Sequence, residues 1–295
     1  MALTLPTKAA APCTLEECLA AFDVSGFDPG CAVSLENAAH WLTRLAANSD
    51  FLADIALEEL RNGCHRGGGQ GYSPQVTMLG APRPGWFMRA NIWPSAQEAV
   101  VRESGEAAFV YGLPHDHNFS FMTVGYHGPG YRSDHYEVDP ERLTGMVGEK
   151  VQLRFVESSV LNPGRVMLYR AGRDVHCQYP PDRLSVSINL MHSAPEQRWQ
   201  DQYRYDLQAG TISGVLTRCT ADTLARLSLA LNADESRDML AGAGCGHRME
   251  RMRWAAINAL ASEQPDTAAR NDHLRRHVGL ASGWLARRCI AAIAD

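Results

Sequence analysis

Between about residue 75 and residue 195 the chain is a succession of short β-forming runs cut by glycine and proline. They are Trp86 to Trp93, Ala107 to Tyr111, His117 to Tyr126, Val151 to Val156, Val166 to Tyr169 and Leu184 to Met191. Short runs at such regular spacing suit an antiparallel sandwich or barrel. In the last run Leu184, Val186, Ile188 and Leu190 alternate with Ser185, Ser187, Asn189 and Met191, the pattern of a half-buried strand. Alternation alone does not assign which phase faces a site. His127-Gly128-Pro129-Gly130-Tyr131 is a turn expected to reverse the strand that carries His115 and His117.

Helical patterns flank this region. Residues 1–12, rich in Ala and Pro, read as a mobile lead-in. Thr14-Leu15-Glu16-Glu17 has the form of a capping box. Ser34 is placed to cap a helix whose apolar face is Leu35, Ala38, Ala39, Leu42 and Leu45. Asn48-Ser49-Asp50 restarts the chain into a helix with Phe51, Ile55 and Leu60, ended by Asn62-Gly63 and Gly67-Gly68-Gly69. After Gln200 the pattern is helical again, with stripes Leu224, Leu227, Leu231; Met249, Met252, Ala256, Leu260; and Leu274, Val278, Ala281, Leu285. The expected organisation is therefore mostly β with helical flanks (α+β): N-terminal helices over residues 1–72, an antiparallel barrel over 73–198, and a helical region over 199–295 packed on it.

Composition narrows the function classes. A hydrophobic fraction of 45% with 21% charged residues describes a chain able to bury a core. The formal net charge of −5 argues against a nucleic-acid-binding surface, and the basic run His247 to Arg253 reads as a solvated helix face. Eight scattered cysteines without Cys-x-x-Cys, and no secretory signal, point to reduced thiols and a cytoplasmic protein. No apolar run reaches the roughly 20 residues that span a bilayer. Gly67 to Gly71 lacks the Lys-Ser/Thr of a phosphate loop and reads as a flexible connection or lid hinge.

The chemistry concentrates in Tyr111 to Phe121. His115 and His117, one residue apart on a strand, present both imidazoles to one side and can converge on a metal ion. A third histidine, His176, follows the Gly172 turn. Three neutral imidazoles leave coordination positions open, which suits Fe(II) binding an anionic substrate beside dioxygen; the same donors also hold Zn or Ni. His127, His135 and Glu137 flank the turn as a possible fourth ligand, pocket lining or exposed loop, and Tyr111 is a possible pocket residue. Asp116 faces away from the metal and Cys177 reads as a core thiol.

A His-x-His pair with a distant histidine after a glycine turn resembles the ligand pattern of the cupin barrel. The two strands are further similar to the three-histidine thiol dioxygenases, the cysteine dioxygenase family of cupins. The likeness rests on His115-Asp116-His117, on His176, and on Phe121, where many cupins carry a glutamate ligand. It extends to Met88-Arg89-Ala90-Asn91, where the family has an arginine that clamps the substrate carboxylate. It covers roughly residues 80–195, under half of the chain. Read without the resemblance, Arg89 serves equally as a surface salt bridge; a guanidinium does match a carboxylate with paired donors.

On the last strand the family has Ser, His and Tyr near the substrate, where this chain has Ser187, Asn189 and Met191; Met122 stands where the family's crosslinked cysteine would be. The resemblance implies a mononuclear non-heme Fe(II) oxidoreductase, dioxygenase-like, acting with O2 on a small carboxylate-bearing amino acid or thiol derivative. Free cysteine is expected to be a poor substrate. Two other classes stay open: a non-redox isomerase, lyase or hydrolase using Zn, Mn or Ni, and a ligand-sensing cupin whose C-terminal helices report to a partner.

Overall fold

The computed structural model describes residues 3–61, 75–217, 220–232, 235–279 and 283–294. The chain divides into two compact units, one formed by Met1–Val138 with Leu153–Ala194 and the other by Asp139–Gln152 with Pro195–Asp295.

The first unit begins with an element the sequence did not suggest. Leu3–Leu5 (β1) pairs antiparallel with Val166–Tyr169 (β7), and Leu3 and Leu5 pack on the core, so the expected mobile lead-in is partly an edge strand. Helices α1 (Leu15–Ser25), α2 (Ala32–Ala46) and α3 (Phe51–Arg61) follow. The capping box is present: Glu17 N donates to Thr14 Oγ1 at 3.1 Å and Thr14 N donates to Glu17 Oε2 at 2.9 Å. Ser34 does not cap α2. Its hydroxyl accepts from Asp28 N at 2.9 Å and closes the preceding loop, while the helix starts behind Cys31. The glycine stretch at 67–71 lies outside the described residues.

Two antiparallel sheets carry the rest of this unit. The larger has the order β1-β7-β4-β9-β3-β2, with β2 at Val76–Met78, β3 at Gly85–Trp93, β4 at Phe121–His127 and β9 at Ser185–Ser193. The smaller has the order β6-β5-β8, with β5 at Arg132–Glu137, β6 at Arg154–Val160 and β8 at Asp174–Gln178. The turn at 127–131 joins a strand of one sheet to a strand of the other: β4 pairs with β7 and β9, whereas β5 pairs with β6 and β8. It therefore makes no hairpin. Gly128 turns there at φ +80°, and a Cβ on it would lie 2.2 Å from Leu184 O, so only glycine fits.

Each face of the larger sheet is covered. Trp86, Met88 and Ala90 of β3, Met122 and Val124 of β4, and Val186, Ile188 and Leu190 of β9 pack against Phe22, Leu42 and Leu45 of the helices. Burying each large side chain contributes about 1.5–3 kcal/mol. The opposite face looks toward the smaller sheet and carries Phe121, Tyr169, Trp93 and Met191. This is the α+β antiparallel architecture with helical flanks that the sequence leads one to expect.

The expected strand at Ala107 to Tyr111 begins instead inside a 3-10 turn, Glu106–Phe109, which follows a short helix α4 (Ala99–Ser104). Val110 then takes a left-handed backbone, φ 62°, an outlier for a β-branched residue. Packing overrides β propensity here: Phe109 and Tyr111 are buried with rings 6.0 Å apart.

In the second unit a β-hairpin precedes the helices. Gln202–Asp206 (β10) pairs with Thr211–Thr217 (β11), and buried Tyr203 and Tyr205 alternate with exposed Arg204 and Asp206. The helices are α5 (Ala221–Ala230), α6 (Ser236–Gly246), α7 (Glu250–Ser262), α8 (Thr267–Val278) and α9 (Gly283–Ala294). Trp254, Ile257, Leu274, Leu285 and Cys289 form one core cluster. The expected stripe on α5 is wrong in phase: Leu224, Leu227 and Leu231 are exposed, and Ala225 and Leu229 are buried. The run at 247–253 is not one solvated basic face either. Arg251 is buried and ion-paired with Asp201 and Asp222, a pairing distant in sequence. Among the described residues no helix is long and apolar enough to cross a membrane, and Cys13, Cys18, Cys31, Cys177, Cys245 and Cys289 are free.

Candidate metal centre

His115 and His117 precede β4 instead of lying within it. His115 is held by reciprocal backbone bonds to β8: His115 N donates to His176 O at 3.0 Å, and His176 N donates to His115 O at 2.9 Å. That local pairing sets the two imidazoles side by side. His117, two residues on, closes the group, and one nitrogen of each of the three lies within 4.8 Å of the others.

The spacing fits a first-row metal ion. His117 Nε2 is 3.0 Å from His176 Nε2, and His176 Nε2 is 3.3 Å from His115 Nε2. Ligands about 2.1 Å from an ion lie roughly 3.0 Å apart at a right angle and roughly 3.4 Å apart at a tetrahedral one. His115 Nδ1 donates to Leu113 O at 2.8 Å, which leaves its Nε2 as a lone pair aimed at the other two. Desolvation lowers all three pKa values. His115 falls to about 4. His117 and His176 fall well below the usual range, burial acting first and the neighbouring imidazoles adding to it. Three converging neutral imidazoles are a donor set for a cation.

The group opens into a cavity of about 230 Å³ between the two sheets. Arg89, expected as an anchor or a salt bridge, lines it, and its charge reaches His117 and Tyr131. Asn189 lines it too. Its Oδ1 accepts from the Thr123 hydroxyl at 2.6 Å, leaving Nδ2 to donate. Phe121 stands at the wall, stacked on Tyr169 with centroids 4.6 Å apart, where a carboxylate ligand was absent from the sequence.

Other expected residues stand elsewhere. Ser187 accepts from Trp93 Nε1 at 3.0 Å, and Met191 is buried in the core beside the cavity; neither lines it. Tyr111 is buried and donates to Pro94 O at 2.8 Å. His127 is exposed. His135 is buried opposite His176 across β5 and β8, outside the three-nitrogen group. Glu137 is engaged by Arg154, Arg170 and Arg173, so it belongs to an ion cluster. Arg154 holds its carboxyl down at about 2.

Asn91, Tyr131 and Gln178 also line the cavity and were missed. The signal existed for two of them: Asn91 is two residues from Arg89 on one strand, and Gln178 two from His176, so each shares its neighbour's side.

No family model matches the sequence, and no curated protein matches it significantly. Several solved structures show local likeness. A chain from crystal structures of DMSP lyases is 12% identical over 44% of this chain and 52% of that one, TM-score 0.27; this chain thus spans about half of its length. Hydroquinone 1,2-dioxygenase from Sphingomonas is 8% identical over 42% of this chain and 69% of that one, TM-score 0.27. Procruciferin, an 11S globulin of Brassica napus, is 10% identical over 64% of this chain and 37% of that one, TM-score 0.27. Likenesses this weak bear on neither ligand nor reaction, which leaves the chemistry to the site's own geometry.

Proposed function

We propose that the protein is a metal-dependent enzyme of cupin type. In this reading His115, His117 and His176 hold Fe(II), and a small carboxylate-bearing amino acid or thiol derivative is oxidised with dioxygen. The observation that carries the reading is three converging imidazole nitrogens, without a carboxylate among them, in one cavity with Arg89. Iron bound there would supply dioxygen activation, with positions left for an anionic substrate. The Arg89 guanidinium binds the substrate carboxylate, and Asn189, oriented by Thr123, donates to the same group. Burial pushes the Tyr131 and Tyr169 hydroxyls further above their usual range, so both stay neutral in the wall. Phe121, Trp93 and Tyr169 keep that wall apolar and limit water.

Anaerobic reconstitution with Fe(II), followed by oxygen uptake on carboxylate-bearing amino acids and thiols, tests the reading. Near-stoichiometric iron and substrate-dependent uptake support it; no iron retention and no uptake overturn it. One distance favours a second reading: the 3.3 Å between His115 and His176 is nearer a tetrahedral edge, the geometry of zinc acting as a Lewis acid. Stoichiometric zinc with full activity, in protein purified without added metal, would select that alternative.

A further inference from the structure

The cavity is polar in two opposite senses. Alternation along β3 sends Arg89, Asn91 and Trp93 to one side, and all three line it. On one part of the wall the groups are donors: the Arg89 guanidinium, and Asn189 Nδ2, whose own carbonyl is satisfied by Thr123. Elsewhere the wall presents acceptors. Asn91 is 7% exposed and its Oδ1 has no hydrogen-bond partner. Gln178, on β8 in the facing sheet, is 5% exposed; its Nε2 sits 3.2 Å from His176 Nε2, and its Oε1 is likewise unpartnered. Buried amide carbonyls are almost always matched to a donor. Two unmatched ones lining the same cavity mark the place of a ligand's donor group.

We propose that Asn91 and Gln178 read an amine on the substrate while Arg89 and Asn189 hold its carboxylate, so that the site selects amino acids over plain carboxylic acids. The inference rests on the carboxylate-anchor reading above. Arg89 and Asn91 are two residues apart on one strand, about 7 Å, and their side chains converge on one small cavity. That suits a ligand whose carboxylate and amine are separated by only a few bonds. No Asp or Glu lines the cavity, so the amine is met by carbonyl dipoles and discrimination falls to the two amides.

The test is calorimetric titration of the full chain, loaded anaerobically with Fe(II), with L-2-aminobutyrate and with butyrate, which lacks the amine. Wild type should bind the amino acid about tenfold to a hundredfold more tightly. In Asn91→Leu that ratio should collapse toward one; in Asn91→Asp, which keeps an acceptor at the same reach, it should persist or widen. Thermal melts establish that each variant is folded. An unchanged ratio in Asn91→Leu overturns the proposal, as does equal weakening of both ligands, which would mark Asn91 as structural. Arg89→Met separates the underlying reading, because it should weaken both ligands alike. If it weakens neither, the carboxylate anchor is wrong and the amine assignment falls with it. Butyrate bound as tightly as aminobutyrate by wild type overturns the proposal while leaving the anchor standing.

Discussion

His176 lies between the other two imidazoles, 3.0 Å from one and 3.3 Å from the other. Removing it takes one donor of three while the surrounding hydrophobic core remains. His176→Ala should therefore lose metal retention by elemental analysis yet keep a wild-type circular dichroism spectrum; wild-type metal content would show that the third ligand is another residue. The same burial makes the metal-free protein sensitive to acid. His115 titrates near 6.5 when unfolded and about 4 when folded, so between those values the unfolded chain takes up a proton that the native site refuses. Stability is complete above about pH 6.5 and falls as pH drops toward 4, by about 3 kcal/mol from this residue. The downward shifts of His117 and His176 act in the same direction. Urea midpoints of metal-free protein at pH 7.5 and pH 4.5 should separate accordingly; coincident midpoints would contradict the buried, neutral triad. Arg89→Ala should weaken a carboxylate ligand by about 1.5–3 kcal/mol and a non-carboxylate analogue much less, measured by titration.

At the scale of elements, the site depends on how strands pass one another. Gly125 on β4 lies against the loop before β7: a Cβ there would sit 2.1 Å from Asn162 O, a backbone atom that cannot swing aside. Gly125→Ala should cost about 1–3 kcal/mol in chemical denaturation, for steric reasons; an unchanged midpoint would mean the loop yields freely. In the second unit Arg251 bridges Asp201, just before β10, and Asp222 on α5. Replacing the arginine leaves two acidic groups facing each other, and Arg251→Met should destabilise the protein by about 3 kcal/mol or more. Restoration of the midpoint by the further changes Asp201→Asn and Asp222→Asn would attribute the loss to those charges. Both contacts join residues far apart in the chain, so neither left a local trace.

For the whole molecule, the cavity's amides and aromatic rings suit a ligand different from free cysteine. Asn189 stands where the resembled family has a histidine, and Met191, where it has a tyrosine, is turned into the core. Turnover should be slower on cysteine than on larger amino-acid derivatives by oxygen uptake; efficient, selective oxidation of cysteine to its sulfinate would refute this. The architecture and the three histidines were legible in the sequence because they rest on local codes: alternation with period two, turn glycines, and a His-x-His spacing. The phase of the last strand was not legible, because both of its faces are buried. Ser187, Asn189 and Met191 are as enclosed as Val186, Ile188 and Leu190, so hydrophobicity alone could not say which side meets the helices. The strand assigned to Ala107–Tyr111 failed for a related reason, since packing of Phe109 and Tyr111 outweighed β propensity. His127, His135 and Glu137 looked equivalent as nearby candidates; the fold exposed the first, buried the second across from His176, and surrounded the third with arginines. The sequence by itself determined most of the strands and helices and singled out His115, His117 and His176 as candidate metal donors, because those signals lie among neighbours along the chain. Only the tertiary structure decided which side chains share the cavity, because strand pairing brings together residues such as Arg89 and Asn189, opposite each other on β3 and β9 yet a hundred positions apart.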